Sequence, residues 1–311
     1  MAADRVGGAI AREGDDLIRE TSTRATTPLT PVDRLRLSST ALVLLGSILL
    51  GFVAYLVVVS PATAAREQQL LHEELRFALA NSRSPVSQVG ANGDPLPMGT
   101  PVALLEARSI DLSAVVVEGT DSNALQVGPG HRRDTVMPGQ RGASVIFGRQ
   151  AAFGGPFGQI ASLREGDSIT TTTGQGVSTF RVVGVRTGPE ALPDVTSAQG
   201  TLTLVTATGV PFFAAEVLRV DAVLVGSAFD AGGRAFSYPA LPDDELAMSS
   251  QAGAAADIAL WSILLLGGVL FVPALRRHWG RWQAWLVGVP LIGSLSFVLY
   301  RDLSALLPNL T

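Results

Sequence analysis

Three apolar runs decide most of what this chain can become. Residues 37–60 carry no charged side chain and are rich in Leu, Val, Ala and Gly. Residues 257–275 and 283–300 form two further apolar stretches. About 20 helical residues cross a hydrocarbon core of roughly 30 Å, so each run is a candidate membrane helix. The third is short enough to be read also as a re-entrant or tilted hairpin arm. A secretory signal is the rival for the first. Its apolar core would span only about 7–15 residues and lie nearer the N-terminus. The small residues of "PATAA" leave cleavage open; an uncleaved anchor is the adopted reading. Composition agrees, since only 16% of residues are charged, against about 25% in an ordinary soluble domain.

Arginines orient the runs. Arg34 and Arg36 precede the first, and "RRHWGRW" joins the second to the third. Short basic loops stay on the cytoplasmic side. The expected order is a disordered cytoplasmic tail (1–36), a membrane helix (37–60), a large external part (61–256), a membrane helix (257–275), a basic cytoplasmic loop (276–282), a membrane helix (283–300) and an external tail (301–311). That makes a multi-pass plasma-membrane protein with its main domain extracytoplasmic. Trp261, Trp279, Trp282, Trp285 and Tyr300 fall near the run ends, where amphipathic rings favour the interface.

The external part divides by pattern. Residues 61–83 are strong helix formers with Leu70, Leu71, Leu75, Ala78 and Leu79 on one side, a stalk helix. Residues 84–101 and 227–256 are rich in Gly, Pro, Ala and Ser and read as linkers. Between them, 102–226 alternates short β-patterned runs with turn signals, the mark of an all-β barrel or sandwich. The chain has no cysteine, which excludes disulfides, thiolate metal sites and a cysteine nucleophile. A net charge of −4 gives no sign of a nucleic-acid partner. No phosphate loop, zinc-spaced His pair or calcium loop is present, so no cofactor or metal is expected.

Ordered pieces of the β region together resemble one family. "VVVEGTDSNALQVGPGHRRDTVMPGQRGASVIFG" is similar to the sortase series Val-Val-x-Gly, Leu, Gly-x-Gly-His, Pro-Gly and a strand ending in Gly. "AFGGPFGQIASLREGDSI", "FRVVGV" and "TLTLVTAT" resemble the next sortase segments in order. The nearest likeness is to the class E-like sortases of actinobacteria. The resemblance implies an eight-stranded β-barrel and a cell-surface cysteine transpeptidase that joins sorting-signal proteins to cell-wall amines.

The family chemistry uses a Cys nucleophile, a His for proton transfer and an Arg at the oxyanion. By local motif, the His position is Arg149, which cannot serve as a base because guanidinium stays protonated. The Cys position is Ala207, whose methyl has no nucleophilic atom. The Arg position is Val217 without a gap. A two-residue slip, which keeps the side chain on the same strand face, would supply Arg219. No catalytic set is intact.

Other residues are candidates for binding. His131 is the only histidine of the β region, but the family's histidine of that motif is not catalytic. Thr206 and Thr208 flank Ala207, and a threonine nucleophile needs an adjacent base. Arg149 is the natural anchor for an acidic ligand group, and a groove should remain between it and the Ala207 strand. Three functions stand open: a sortase-like pseudoenzyme that binds a peptide, a wall component or a membrane-protein partner; an active transpeptidase or hydrolase with a rearranged site; and a structural spacer in a membrane complex.

Overall fold

The computed structural model describes residues 31–90, 92–188, 199–234, 236 and 240–311. The chain forms two compact units, Met1–Gly51 and Phe52–Thr311. The tail expected over 1–36 lies mostly outside the described residues, and helix begins already at Pro31.

Helix α1 is Pro31–Ala54. One π-helical turn, Tyr55–Val59, leads into α2, Ser60–Ala80. The expected apolar stripe of this stalk is only partly right. Leu75 is buried and Leu71, Ala78 and Leu79 are half-buried, but Leu70 is exposed. The face that docks is Ser60, Ala64, Gln68, Leu71 and Leu75, spaced by three or four residues as one helix face requires. Gln68 holds it to the barrel. Its amide donates to Val127 O (2.8 Å) and Val115 O (3.1 Å), and its Oε1 accepts from Val115 N–H (2.8 Å).

The β region closes into a barrel of eight strands in the order β1-β2-β3-β4-β7-β8-β6-β5. The strands are β1 Pro101–Ala107, β2 Leu112–Glu118, β3 Gly130–His131, β4 Gly142–Phe147, β5 Ser168–Thr173, β6 Gly176–Thr187, β7 Gly200–Val210 and β8 Phe213–Val225. A short helix α3, Ala124–Val127, lies between β2 and β3. Antiparallel pairing of β1 with β5 completes the closure, so no strand edge is left open. The threonines and valines that favour a pleated, half-buried surface fill these strands. Alternation sorts them. Leu105, Ile146, Ile169, Phe180, Leu202, Leu204 and Val220 point into the barrel core. Val145, Phe147, Val205 and Ala207 form a separate cluster on the other face of β4 and β7. The eight-stranded barrel expected from the sequence is therefore the fold observed.

Helices α4, Ala255–Trp279, and α5, Arg281–Ser304, form a hairpin. The stretch 276–282 is not a loop. Arginine and tryptophan are compatible with helix, and the reversal is made at Gly280 alone, at φ 97°, where glycine is unhindered. The third apolar run is thus a full helix rather than a short arm, since it starts at Arg281. Among the described residues, three helical stretches, within Leu45–Ala80, Ala255–Val272 and Arg281–Ser304, are long and apolar enough to cross a membrane.

Among the described residues, parts of both expected linkers are bonded to each other and to the barrel region. Gln88 N–H donates to Gly233 O and its amide to Thr135 O. Phe229 N–H donates to Gly139 O, and Arg141 N–H to Phe229 O. Their composition predicts no periodicity, and they have little, but irregular backbone can be fixed through such bonds. The 301–311 tail is not free either. Asn309, Leu310 and Thr311 are completely buried.

Candidate functional site

Parallel pairing of β4 with β7 sets Phe147 beside Val205. The ladder runs on by one step, because Gly148 N–H donates to Val205 O at 2.9 Å. A side chain at Gly148 would strike the Phe157 ring, with a Cβ 2.4 Å from it. Glycine is needed there to let the chain leave β4 against that ring. Arg149 follows at once. On the other side, β7 pairs with β8 so that Ala207 faces Val217 and Val205 faces Arg219. The positions 149, 207 and 217 therefore meet at one end of the barrel, with Arg219 a neighbour on the same stretch of β8.

What these residues do there differs from expectation. Arg149 is not an exposed anchor; it is completely buried. Its Nε donates to Leu125 O (3.0 Å), and its Nη2 to Ser122 O (3.0 Å) and Ser122 Oγ (2.9 Å). Its guanidinium lies 5.0 Å from the Phe153 ring centre, a cation–π distance. Burial lowers its pKa to about 10, against the opposing charge of Asp121, and it remains protonated at neutral pH. The guanidinium clamps the α3 loop to the end of β4. Strand alternation alone cannot reveal this, because the loop that covers Arg149 comes from a different part of the chain.

Ala207 is buried among Leu125, Val145, Phe147, Val205 and Leu310, with Ala214, Val217, Ala247 and Met248 packed around them. Arg219 is also buried and donates to Gly188 O at 2.5 Å. Thr206 Oγ1 donates to Gly148 O (2.8 Å) and Thr208 Oγ1 to Glu216 O (3.4 Å), so both hydroxyls turn to backbone rather than to a base. His131 is fully buried on β3. Its Nδ1 lies 2.9 Å from Glu118 Oε2 and its Nε2 2.9 Å from Val136 O. Both ring nitrogens face acceptors, so both donate and the ring is an imidazolium. Burial opposes that charge, but the Glu118 carboxylate and the Val136 carbonyl raise the pKa above its ordinary value. A ring committed on both sides has no proton to exchange with a ligand.

The expected open groove is closed by the chain itself. Gln150 N–H donates to Leu310 O at 2.9 Å. Asn309 Nδ2 donates to Leu246 O (2.9 Å) and Thr120 O (3.0 Å), and Asn309 N–H to Ser249 O (2.8 Å). Thr120 Oγ1 donates to Glu245 O at 2.7 Å, and Glu245 is ion-paired with Arg133. Asn309, Leu310, Glu245 and Gln68 carry no sequence signal of a site. Open space lies elsewhere: a cavity of about 360 Å³ between α2 and the barrel, lined in part by Ala64, Gln68, Asp111 and Pro156.

Together these features define a closed all-β barrel with a non-nucleophilic residue at its cleft end. Residues 105–223, most of the barrel, match the family model described as the sortase domain. Sortase D of Bacillus subtilis is 29% identical over 85 residues, which cover 27% of this chain and 41% of that protein. The chain thus aligns with about two-fifths of that relative's length. Among solved structures, a Clostridium perfringens sortase D5 transpeptidase is 22% identical, covering 52% of this chain and 99% of its own, with TM-score 0.43. Sortase E of Streptomyces avermitilis is 26% identical, covering 42% and 91%, with TM-score 0.34.

Proposed function

We propose that this chain is a membrane-anchored sortase-like protein without transpeptidase activity, of the class E-like type. Its extracytoplasmic barrel serves as a binding module for a peptide, a wall component or a membrane partner. One observation carries the reading: the end of β7 presents the methyl of Ala207 inside a closed apolar cluster, in a chain without cysteine. Acyl transfer needs a nucleophile and a base within reach of it. Neighbouring Arg149 gives all its bonded N–H groups to Leu125 and Ser122, and His131 is held by Glu118 and Val136.

The test is turnover. The full chain in detergent is incubated with a sorting-signal pentapeptide and an amine acceptor, and products are read by mass spectrometry. No cleaved or ligated product is expected above the protein-free rate. Product that forms in a clean preparation and vanishes in Thr206→Val or His131→Gln would overturn the reading.

A further inference from the structure

The end of β7 is covered by a segment that arrives from far along the chain. Helix α5 ends at Ser304, and residues 305–311 then cross the barrel end. Leu310 fills the apolar cluster beside Ala207, Phe147 and Val205. Its carbonyl accepts from Gln150 N–H at 2.9 Å. Asn309 spans two walls, donating to Thr120 O on one and Leu246 O on the other. The contact has the parts of a ligand site: an apolar socket for one side chain, a main-chain bond in register beside it, and paired carbonyls reading an amide.

The fit is incomplete. Arg149 Nη1, Gln150 Oε1 and Asn309 Oδ1 are buried and lack hydrogen-bond partners. Buried polar atoms are nearly always paired, so the unpaired Arg149 Nη1 and Gln150 Oε1 of the socket, facing a segment whose own Asn309 Oδ1 is unpaired, mark an occupant that does not use everything the socket offers.

We infer that the barrel end at Ala207 is a peptide-binding site and that residues 305–311 are its resident ligand in cis. The occupant is a turn-forming segment, closed by Thr311 N–H donating to Pro308 O at 3.0 Å, with an aliphatic side chain for the socket and an Asn immediately before it. An external peptide of that pattern competes with it, at an effective disadvantage set by the tether. The segment also holds the stretch that precedes α4, since Gln251 N–H donates to Ala305 O at 3.0 Å. The inference rests on the non-catalytic reading of the same site, because a resident that is never cleaved must sit there stably.

The chain has no cysteine, so a single engineered thiol reports on this site without background. Ala207→Cys is made in the full chain in detergent, alone and with Leu310→Ser or Asn309→Ala, and the rate of maleimide labelling is measured. Circular dichroism confirms the barrel in each variant, and Asn309→Ala serves if Leu310→Ser does not fold. The single variant is expected to label slowly and the loosened variants at least tenfold faster. A synthetic peptide of residues 305–311 added to a loosened variant is expected to restore slow labelling. Equal rates in all variants, or loosened variants that the peptide does not protect, would overturn the inference. Neither result depends on turnover, so the non-catalytic reading fails or stands by its own assay.

Discussion

Asn309 donates its side-chain amide to the backbone oxygen of Thr120 at 3.0 Å, joining residues 189 positions apart in sequence. A second bond from the same amide reaches Leu246 O. One buried side chain therefore holds the end of the α5 region, the barrel and the 243–250 stretch together. Asn309→Ala leaves two carbonyl oxygens without this donor. Each unpaired buried group costs about 1–3 kcal/mol, so the docked segment should loosen by about 2–6 kcal/mol. Hydrogen exchange at the Gln150 amide, which donates to Leu310 O, reads this directly. Protection there should fall while the Leu204 and Val220 amides in the barrel strands keep theirs.

Arg149 is structural rather than ligand-facing. Arg149→Ala removes three donated bonds to Leu125 and Ser122 and leaves a void beside Phe153. The expected loss of barrel stability is on the order of 3 kcal/mol. Arg164→Ala, at an exposed turn, should stay within about 0.5 kcal/mol. Urea unfolding in detergent compares the two, and equal midpoints would remove the clamp role.

His131 makes barrel stability depend on pH. Its folded pKa is raised above the ordinary imidazole value of about 6.5. A group raised in this sense stabilises fully below about pH 6.5 and loses that contribution as pH climbs through the folded value. Unfolding midpoints should therefore fall as pH climbs above about 6.5 and through the folded value. His131→Gln should flatten the dependence, because the imidazolium–Glu118 pair is gone. A wild-type profile already flat from about pH 6 to about pH 9 would contradict the imidazolium assignment.

That the external domain is all-β was legible because strand patterning is a local signal; the choice of an eight-stranded barrel over a sandwich came from the family resemblance. "GASVIFG" and "TLTLVTAT" carry strand patterning, and in the fold alternation puts Ile146 and Leu204 in the barrel core and Val145 and Val205 in the cluster on the other face. Local motif points to positions 149, 207 and 217, and strand order and register bring them together at one end of the barrel. That Arg149 is sealed does not follow from local motif, because Leu125 and Ser122 lie more than twenty residues upstream. Likewise, "LLPNLT" has no period and no motif, so nothing local reveals that Leu310 sits under Ala207. The Arg-rich turn misled for a physical reason: basic residues mark a side of the membrane without breaking a helix, and Gly280 alone made the turn.

Membrane orientation is open to the same thiol strategy. Val177 on β6 and Trp282 at the start of α5 are both exposed. In whole cells, Val177→Cys should react with an impermeant maleimide and Trp282→Cys should not, as the arginines of the hairpin turn direct. Labelling of Trp282→Cys from outside would reverse the orientation.

The central claim is that no covalent chemistry occurs at the end of β7. Its most direct test is the intact mass of the full-length protein after incubation with a sorting-signal peptide and acid quench. The account predicts the unmodified mass at every time point. A mass increase equal to the acyl fragment of the peptide, mapped to Thr206, Thr208 or His131, would contradict it.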